Sequence, residues 1–264
     1  MGRRSDRDKI RSLLKITILL FSLFACFVAI KTSTFLNRKE LHKENFVNVK
    51  IIVASTYCKK PIIIDKTGSC VGFESVILEA SASGIAIKTI DNDTYILTAA
   101  HFCEEVINED IDDESNKFTV TDIWATGYDE IPTLASVVNI DEKSDLCLLK
   151  SSMLRVDTVK FSPVPQIGEK VYTIASPLDI SEDGILLHFE GFFSGCDSSD
   201  LCFYTIPATF GSSGSIVFDR RGRAIGMIQM VPRRFDSISM GTGYISIKEF
   251  LKNSSNRLNV DLDI

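Results

Sequence analysis

The chain is cut into short runs rich in Val, Ile, Phe, Tyr and Thr, parted by turn-forming clusters. That punctuation leaves little room for long helices and points to an all-β body of sandwich or barrel type. Candidate strands cover 47–54, 84–89, 95–99, 133–139, 146–150, 170–175, 186–194, 203–206, 215–218 and 224–231. Between them stand Asp91-Asn92-Asp93, Ile167-Gly168-Glu169 and Asp219-Arg220-Arg221-Gly222, each with turn chemistry. Helix signal is confined to 248–252, after Ser246, and to a helical turn after His101.

The first thirty residues follow a different rule. Arg3, Arg4, Arg7, Lys9 and Arg11 precede an apolar run from Ile16 to Ile30, with Lys15 at its edge and Lys31 beyond it. A basic flank before an apolar run is the pattern of a signal peptide or signal anchor. Small residues at the positions a leader peptidase reads are missing, which favours a retained anchor over a cleaved leader. Leu23-Phe24-Ala25-Cys26 offers a lipobox-like alternative, and a buried core helix is the plainest one. The organisation expected is a basic flank over 1–15, a transmembrane anchor over 16–30, a stalk over 31–46 and a single folded domain over 47–264. The basic side is expected in the cytoplasm, and the folded domain on the exported, periplasmic or extracellular, side. A formal net charge of −6 argues against a general nucleic-acid binder, which needs a basic face for phosphates.

Beyond Cys26 there are six cysteines: Cys58, Cys70, Cys103, Cys147, Cys196 and Cys202. Six allow fifteen pairings, so connectivity is not readable. A hairpin bridge between Cys196 and Cys202, across Asp197-Ser198-Ser199-Asp200, is plausible, and Cys58 with Cys70 is a second guess. Cys147 lies in an apolar strand and reads as a buried thiol. The acidic stretch from Glu104 to Ser115 reads as a solvated surface loop rather than a calcium loop or a lure for basic substrates, because the EF-hand order with its central Gly is absent.

Three segments carry residue types that work together. Tyr95-Ile-Leu-Thr-Ala-Ala-His101 ends a β-run on two alanines and a histidine. Asp145 stands at the mouth of the apolar run Leu146-Cys-Leu-Leu149. Gly211-Ser-Ser213-Gly-Ser215 places a serine between glycines, which lets the backbone turn tightly and present the hydroxyl. A serine hydroxyl is a weak nucleophile at neutral pH unless a neutral imidazole takes its proton. The imidazole in turn needs an anion on its other nitrogen. The tetrahedral oxyanion needs two N–H donors, and here these are the amides of Gly211 and Ser213. Of the histidines, His42 lies in the stalk and His188 in mid-strand, which leaves His101 as the base.

Taken together, these segments resemble the trypsin-like (chymotrypsin-fold) serine peptidases, closest to the HtrA-type and glutamyl-endopeptidase-like branches. Ala82-Ser-Gly-Ile-Ala-Ile87 with Ile96-Leu-Thr-Ala-Ala-His101 matches the strand pair that delivers the catalytic histidine. Asp145-Leu-Cys-Leu-Leu-Lys150 matches the strand after the aspartate, and Ile167-Gly-Glu-Lys-Val-Tyr-Thr-Ile-Ala-Ser-Pro177 the start of the second barrel. Gly211-Ser-Ser-Gly-Ser215 matches the nucleophile loop, with Gly222-Arg-Ala-Ile-Gly226 and Gly241-Thr-Gly-Tyr-Ile245 as the strands that follow. The resemblance implies two six-stranded antiparallel β-barrels, a His101, Asp145, Ser213 triad in the cleft between them, and peptide hydrolysis through an acyl-enzyme. It implies a polypeptide substrate and no metal or organic cofactor. The PDZ domains of many HtrA-type proteins are absent from these residues, so regulated oligomeric assembly is not expected. The family's disulfide beside the histidine is also not expected, because Cys103 is offset and no cysteine opens the preceding strand.

For specificity the resemblance points to Pro207, Thr209, Met227 and Gln229 around the primary pocket. Pro207 lies near where trypsin carries its acid, so a Lys or Arg preference has no support. A small or medium apolar side chain before the scissile bond is the expectation. The rival class is an inactive, membrane-anchored, protease-like binding module.

Overall fold

A computed structural model describes residues 43–58, 66, 73–107, 118–128, 131–180, 185–232, 235, 237–262 and 264. The expected anchor at 16–30, Cys70 and most of the acidic stretch after Glu104 lie outside them. Among the described residues no helix is long and apolar enough to cross a membrane.

The body is two closed antiparallel barrels of six strands, in the orders β1-β2-β3-β6-β5-β4 and β10-β11-β12-β9-β8-β7. The first holds β1 (Phe46–Cys58), β2 (Phe73–Ile90), β3 (Asp93–Ala99), β4 (Phe118–Gly127), β5 (Thr133–Asp141) and β6 (Leu146–Ser152). The second holds β7 (Lys170–Ala175), β8 (Leu187–Cys196), β9 (Leu201–Tyr204), β10 (Ile216–Phe218), β11 (Ala224–Met230) and β12 (Ser239–Gly243). Helix α1 (Ala100–Ile107) follows β3, and α2 (Tyr244–Leu258) follows β12.

Side-chain alternation along each strand sorts the core into three parts. Ile96, Cys147 and Leu149 point into the first barrel with Val47, Val49 and Ile51. Tyr95, Leu97, Leu146 and Leu148 point out of it, onto Ile216, Phe218 and Met227 of the second barrel. Val217, Ile225 and Ile228 fill the second barrel. Strand β6 is therefore apolar at consecutive positions because both of its faces are covered. The inter-barrel core also receives Ile247, Phe250 and Leu251 from α2, whose spacing is that of one helical face. The helix is longer than the expected 248–252, running from Gly243 to a left-handed C-cap at Asn259.

Several expectations need correction. Strand β4 was not anticipated. Strand β12 covers Ser239–Gly243, starting two residues before the segment the family resemblance marks at Gly241–Ile245 and ending two residues short of that segment's end, since α2 takes Tyr244 and Ile245. Close approach requires its first glycine: a Cβ on Gly241 would collide with the Met227 carbonyl of β11. The proposed stalk is too long by several residues, since Asn45 is buried and β1 begins at Phe46. Cys147 is not a free thiol but is bonded to Cys103, with Cα atoms 6.5 Å apart. The Cys196–Cys202 bridge forms as expected across the β8–β9 hairpin.

Candidate active site

Asp145 follows a turn begun at Glu142, and its backbone is left-handed (φ 51°), a conformation that Asp and Asn tolerate better than most side chains. The turn brings the carboxylate under the start of α1. There Oδ1 accepts the His101 backbone N–H at 2.8 Å, while the Asp145 carbonyl accepts the Ala100 N–H at 3.1 Å. The imidazole Nδ1 lies 2.8 Å from Oδ2 and 3.0 Å from Oδ1. With the ring proton on Nδ1, this contact fixes the ring plane and leaves Nε2 as the acceptor. The His101 side chain is 49% exposed and that of Asp145 is 23% exposed, so the pair sits at a surface opening with its acid on the inner side.

Ser213 lies on the tight turn between Gly211 (φ 87°) and Gly214 (φ 84°). Both glycines are dictated by close approach as well as by φ. A Cβ at Gly211 would stand 2.5 Å from the Ser176 carbonyl, and one at Gly214 would strike the Ser83 carbonyl and Thr98 Oγ1 of the first barrel. The backbone amides of the turn alternate. Ser212 donates to Thr209, Gly214 to Ile228 and Ser215 to Ser212. The N–H groups of Gly211 and Ser213 donate to no acceptor among the described residues. The Ser213 hydroxyl makes a long bond, 3.5 Å, to the Gln229 carbonyl.

The remaining expected site residues divide. Pro207 and Thr209 are exposed on the segment leading into the turn. Met227 is fully buried in the inter-barrel core, so the pocket reading gives way to ordinary packing. Gln229 is buried too, and its amide turns away from any pocket. It donates to the carbonyls of Ser144 (2.9 Å) and Asp145 (2.6 Å), and its Oε1 accepts from the Thr242 hydroxyl (2.9 Å). Sequence reasoning gave no role to Ser83 or Ser144. Ser144 reaches the site through its own carbonyl and Ser83 through its N–H and hydroxyl, both onto backbone groups or amides that residue type does not signal. A short segment after β7 also backs the turn. Leu178 and Asp179 are both left-handed, and the Leu178 N–H donates to the Phe210 carbonyl at 2.8 Å. Lys50 of β1 grips Asp179 at 2.7 Å, and that hydrogen bond holds the ammonium above its ordinary pKa against the opposing effect of burial.

The model of the trypsin-like peptidase domain matches residues 82–227, more than half of the chain, and that span includes His101, Asp145 and Ser213. The crystal structure of a serine endoprotease from Yersinia pestis superposes with a TM-score of 0.54 at 17% identity, over 77% of this chain and 62% of that one. The chain thus spans less than two thirds of that protein, and the likeness is one of fold. No curated protein matches by sequence. A family match that covers more than half of the chain and runs across the histidine, aspartate and serine segments leads to one statement: the chain belongs to the trypsin-like peptidase family.

Proposed function

We propose that the chain is a serine endopeptidase that cleaves peptide bonds through an acyl-enzyme, with His101, Asp145 and Ser213 as its triad. The observation that carries the reading is that one residue, Gln229, touches both the aspartate holding the imidazole and the serine of a turn on which two amides, Gly211 and Ser213, donate to no acceptor among the described residues. In this reading the Ser213 hydroxyl leaves its long bond to the Gln229 carbonyl and engages Nε2 of His101 when substrate is bound. Nε2 takes the hydroxyl proton as Oγ attacks the scissile carbonyl. The oxyanion is stabilised by the two amides, and loss of one such donor costs about 3 kcal/mol. His101 then hands its proton to the leaving amine. In the second half, water attacks the acyl ester with the imidazole again as base, and Ser213 is regenerated. Asp145 stabilises the imidazolium and keeps its tautomer. Pro207 and Thr209 border the position before the scissile bond, which takes a small or medium apolar side chain.

A fluorophosphonate probe should label the wild type and leave Ser213→Ala unlabelled. A peptide blocked at both ends should be cut internally by the first and not by the second. Labelling that survives in Ser213→Ala removes the triad, and labelling of neither protein favours the binding-module reading. We further propose that residues 16–30 anchor the protein in a membrane with the peptidase domain on the exported side. The basic residues from Arg3 to Arg11 ahead of the apolar run support this orientation. Resistance of the full chain to alkaline extraction from membranes, lost on deleting 1–30, tests it.

A further inference from the structure

Ser83 lies on β2 with no exposed surface, and each of its polar groups is engaged. Its N–H donates to the Ser213 carbonyl at 2.8 Å. Its hydroxyl donates to the Gly211 carbonyl at 2.9 Å and accepts from the Ser176 N–H at 3.0 Å. Its carbonyl accepts from the Thr98 hydroxyl at 2.8 Å. The first three bonds cross from the first barrel to the second. The fourth reaches β3 just ahead of His101.

We propose that Ser83 is a positioning residue that sets where the nucleophile turn stands relative to the base. Within 211–214, Gly211 and Ser213 are the residues whose N–H groups donate to no acceptor among the described residues, and Ser83 grips the carbonyl of each. Their N–H groups belong to the preceding peptides. The carbonyls of those peptides, on Phe210 and Ser212, are held by the N–H groups of Leu178 and Ser215. Because N–H and C=O of one trans peptide point in opposite directions, holding these two carbonyls fixes the direction of the Gly211 and Ser213 N–H groups. Ser83 adds to this from the barrel that carries His101: its hydroxyl holds the Gly211 carbonyl and its backbone N–H the Ser213 carbonyl, so the peptides that follow the two donor residues are tied to β2. The absence of a Cβ on Gly214, next to the Ser83 carbonyl, lets the turn and β2 meet this closely. The plainer role, filling two buried hydrogen-bond groups, would cost stability alike in every state of the reaction. A positioning role acts on the transition state.

This inference rests on the peptidase reading. Its test is steady-state kinetics of Ser83→Ala and of Ser83→Cys, which nearly keeps the volume with a poorer donor, both normalised to folded protein. In each, kcat should fall ~10- to 100-fold with KM within about twofold of wild type. Affinity for a peptide trifluoromethyl ketone, which adds the Ser213 hydroxyl and forms an oxyanion, should fall by the same factor, while affinity for the cleavage product stays. The midpoint of the acid limb of the kcat/KM profile should not move, because the His101–Asp145 contact is untouched. A kcat within twofold of wild type, or equal weakening of ketone and product, overturns the proposal. If the wild type takes no fluorophosphonate, the peptidase reading itself has failed. A crystal structure of the Ser83→Ala protein then decides separately: a Gly211 carbonyl that keeps its direction overturns the inference, and one that turns supports it.

Discussion

Cys103 and Cys147 are joined by a disulfide that ties α1 to β6, each cysteine standing two positions beyond a member of the His101–Asp145 pair. It acts in parallel with the bonds from the Ala100 and His101 N–H groups to Asp145, so three links hold the helix start against the aspartate turn. Both residues are fully buried in the first barrel.

The bridge closes a loop with a sequence separation of 44. The chain-entropy estimate for a loop of that length is about 4 kcal/mol of stabilisation through the unfolded state. Protein with the bridge reduced should therefore unfold at a clearly lower denaturant midpoint than the oxidised form, by up to ~4 kcal/mol. The Cys103→Ala, Cys147→Ala double variant should fall at least as far, because it also leaves a cavity. Coincident midpoints, with both thiols shown to be free by alkylation, would contradict this.

The left-handed backbone of Asp145 makes the asparagine variant an informative one. Asn accepts that conformation, and its amide oxygen can still receive the His101 backbone N–H, so Asp145→Asn should fold with nearly unchanged stability. It cannot stabilise an imidazolium, and its amide N–H favours the wrong tautomer of the ring. Turnover of a peptide substrate should drop by ~10⁴. Activity close to wild type in a correctly folded Asp145→Asn protein would take the carboxylate out of the mechanism.

The parts of this molecule that could be read from the chain are those in which residue type is the message. Strand β6 reads as an apolar run because Leu146 and Leu148 face one core and Cys147 and Leu149 the other. His101, Asp145 and Ser213 stand out because acyl transfer needs those side chains. Strand β12 is visible only through the family resemblance at Gly241–Ile245, because Gly241 is set by the close Met227 carbonyl and Gly243 by the Asp200 carboxylate and Cys202 sulfur rather than by strand preference. The Cys103–Cys147 pairing was hidden because nothing in the spacing selects one of fifteen connectivities. Ser83 and Gln229 were misread or passed over because their partners are the carbonyls of Gly211, Ser144 and Asp145, which every residue possesses.

Gln229 gives the sharpest contrast between those readings. As a pocket residue its replacement should change which side chain is preferred before the scissile bond. As the residue observed, it cross-links β11 to the Ser144–Asp145 turn through two donated bonds, while its backbone carbonyl sits beside the Ser213 hydroxyl. Gln229→Met keeps the length and removes both donors, leaving the Ser144 carbonyl only the Thr242 hydroxyl and depriving the Asp145 carbonyl of one of its two donors. The cost should be about 1–3 kcal/mol of stability. The turn that carries the carboxylate is then less firmly held, and kcat should fall by ~10-fold, equally for substrates that differ only in the residue before the cut. Kinetics across a small set of such peptides reads the distinction directly. A changed order of preference with kcat retained on the best substrate would return Gln229 to the pocket wall, whereas a uniform loss places it behind the aspartate.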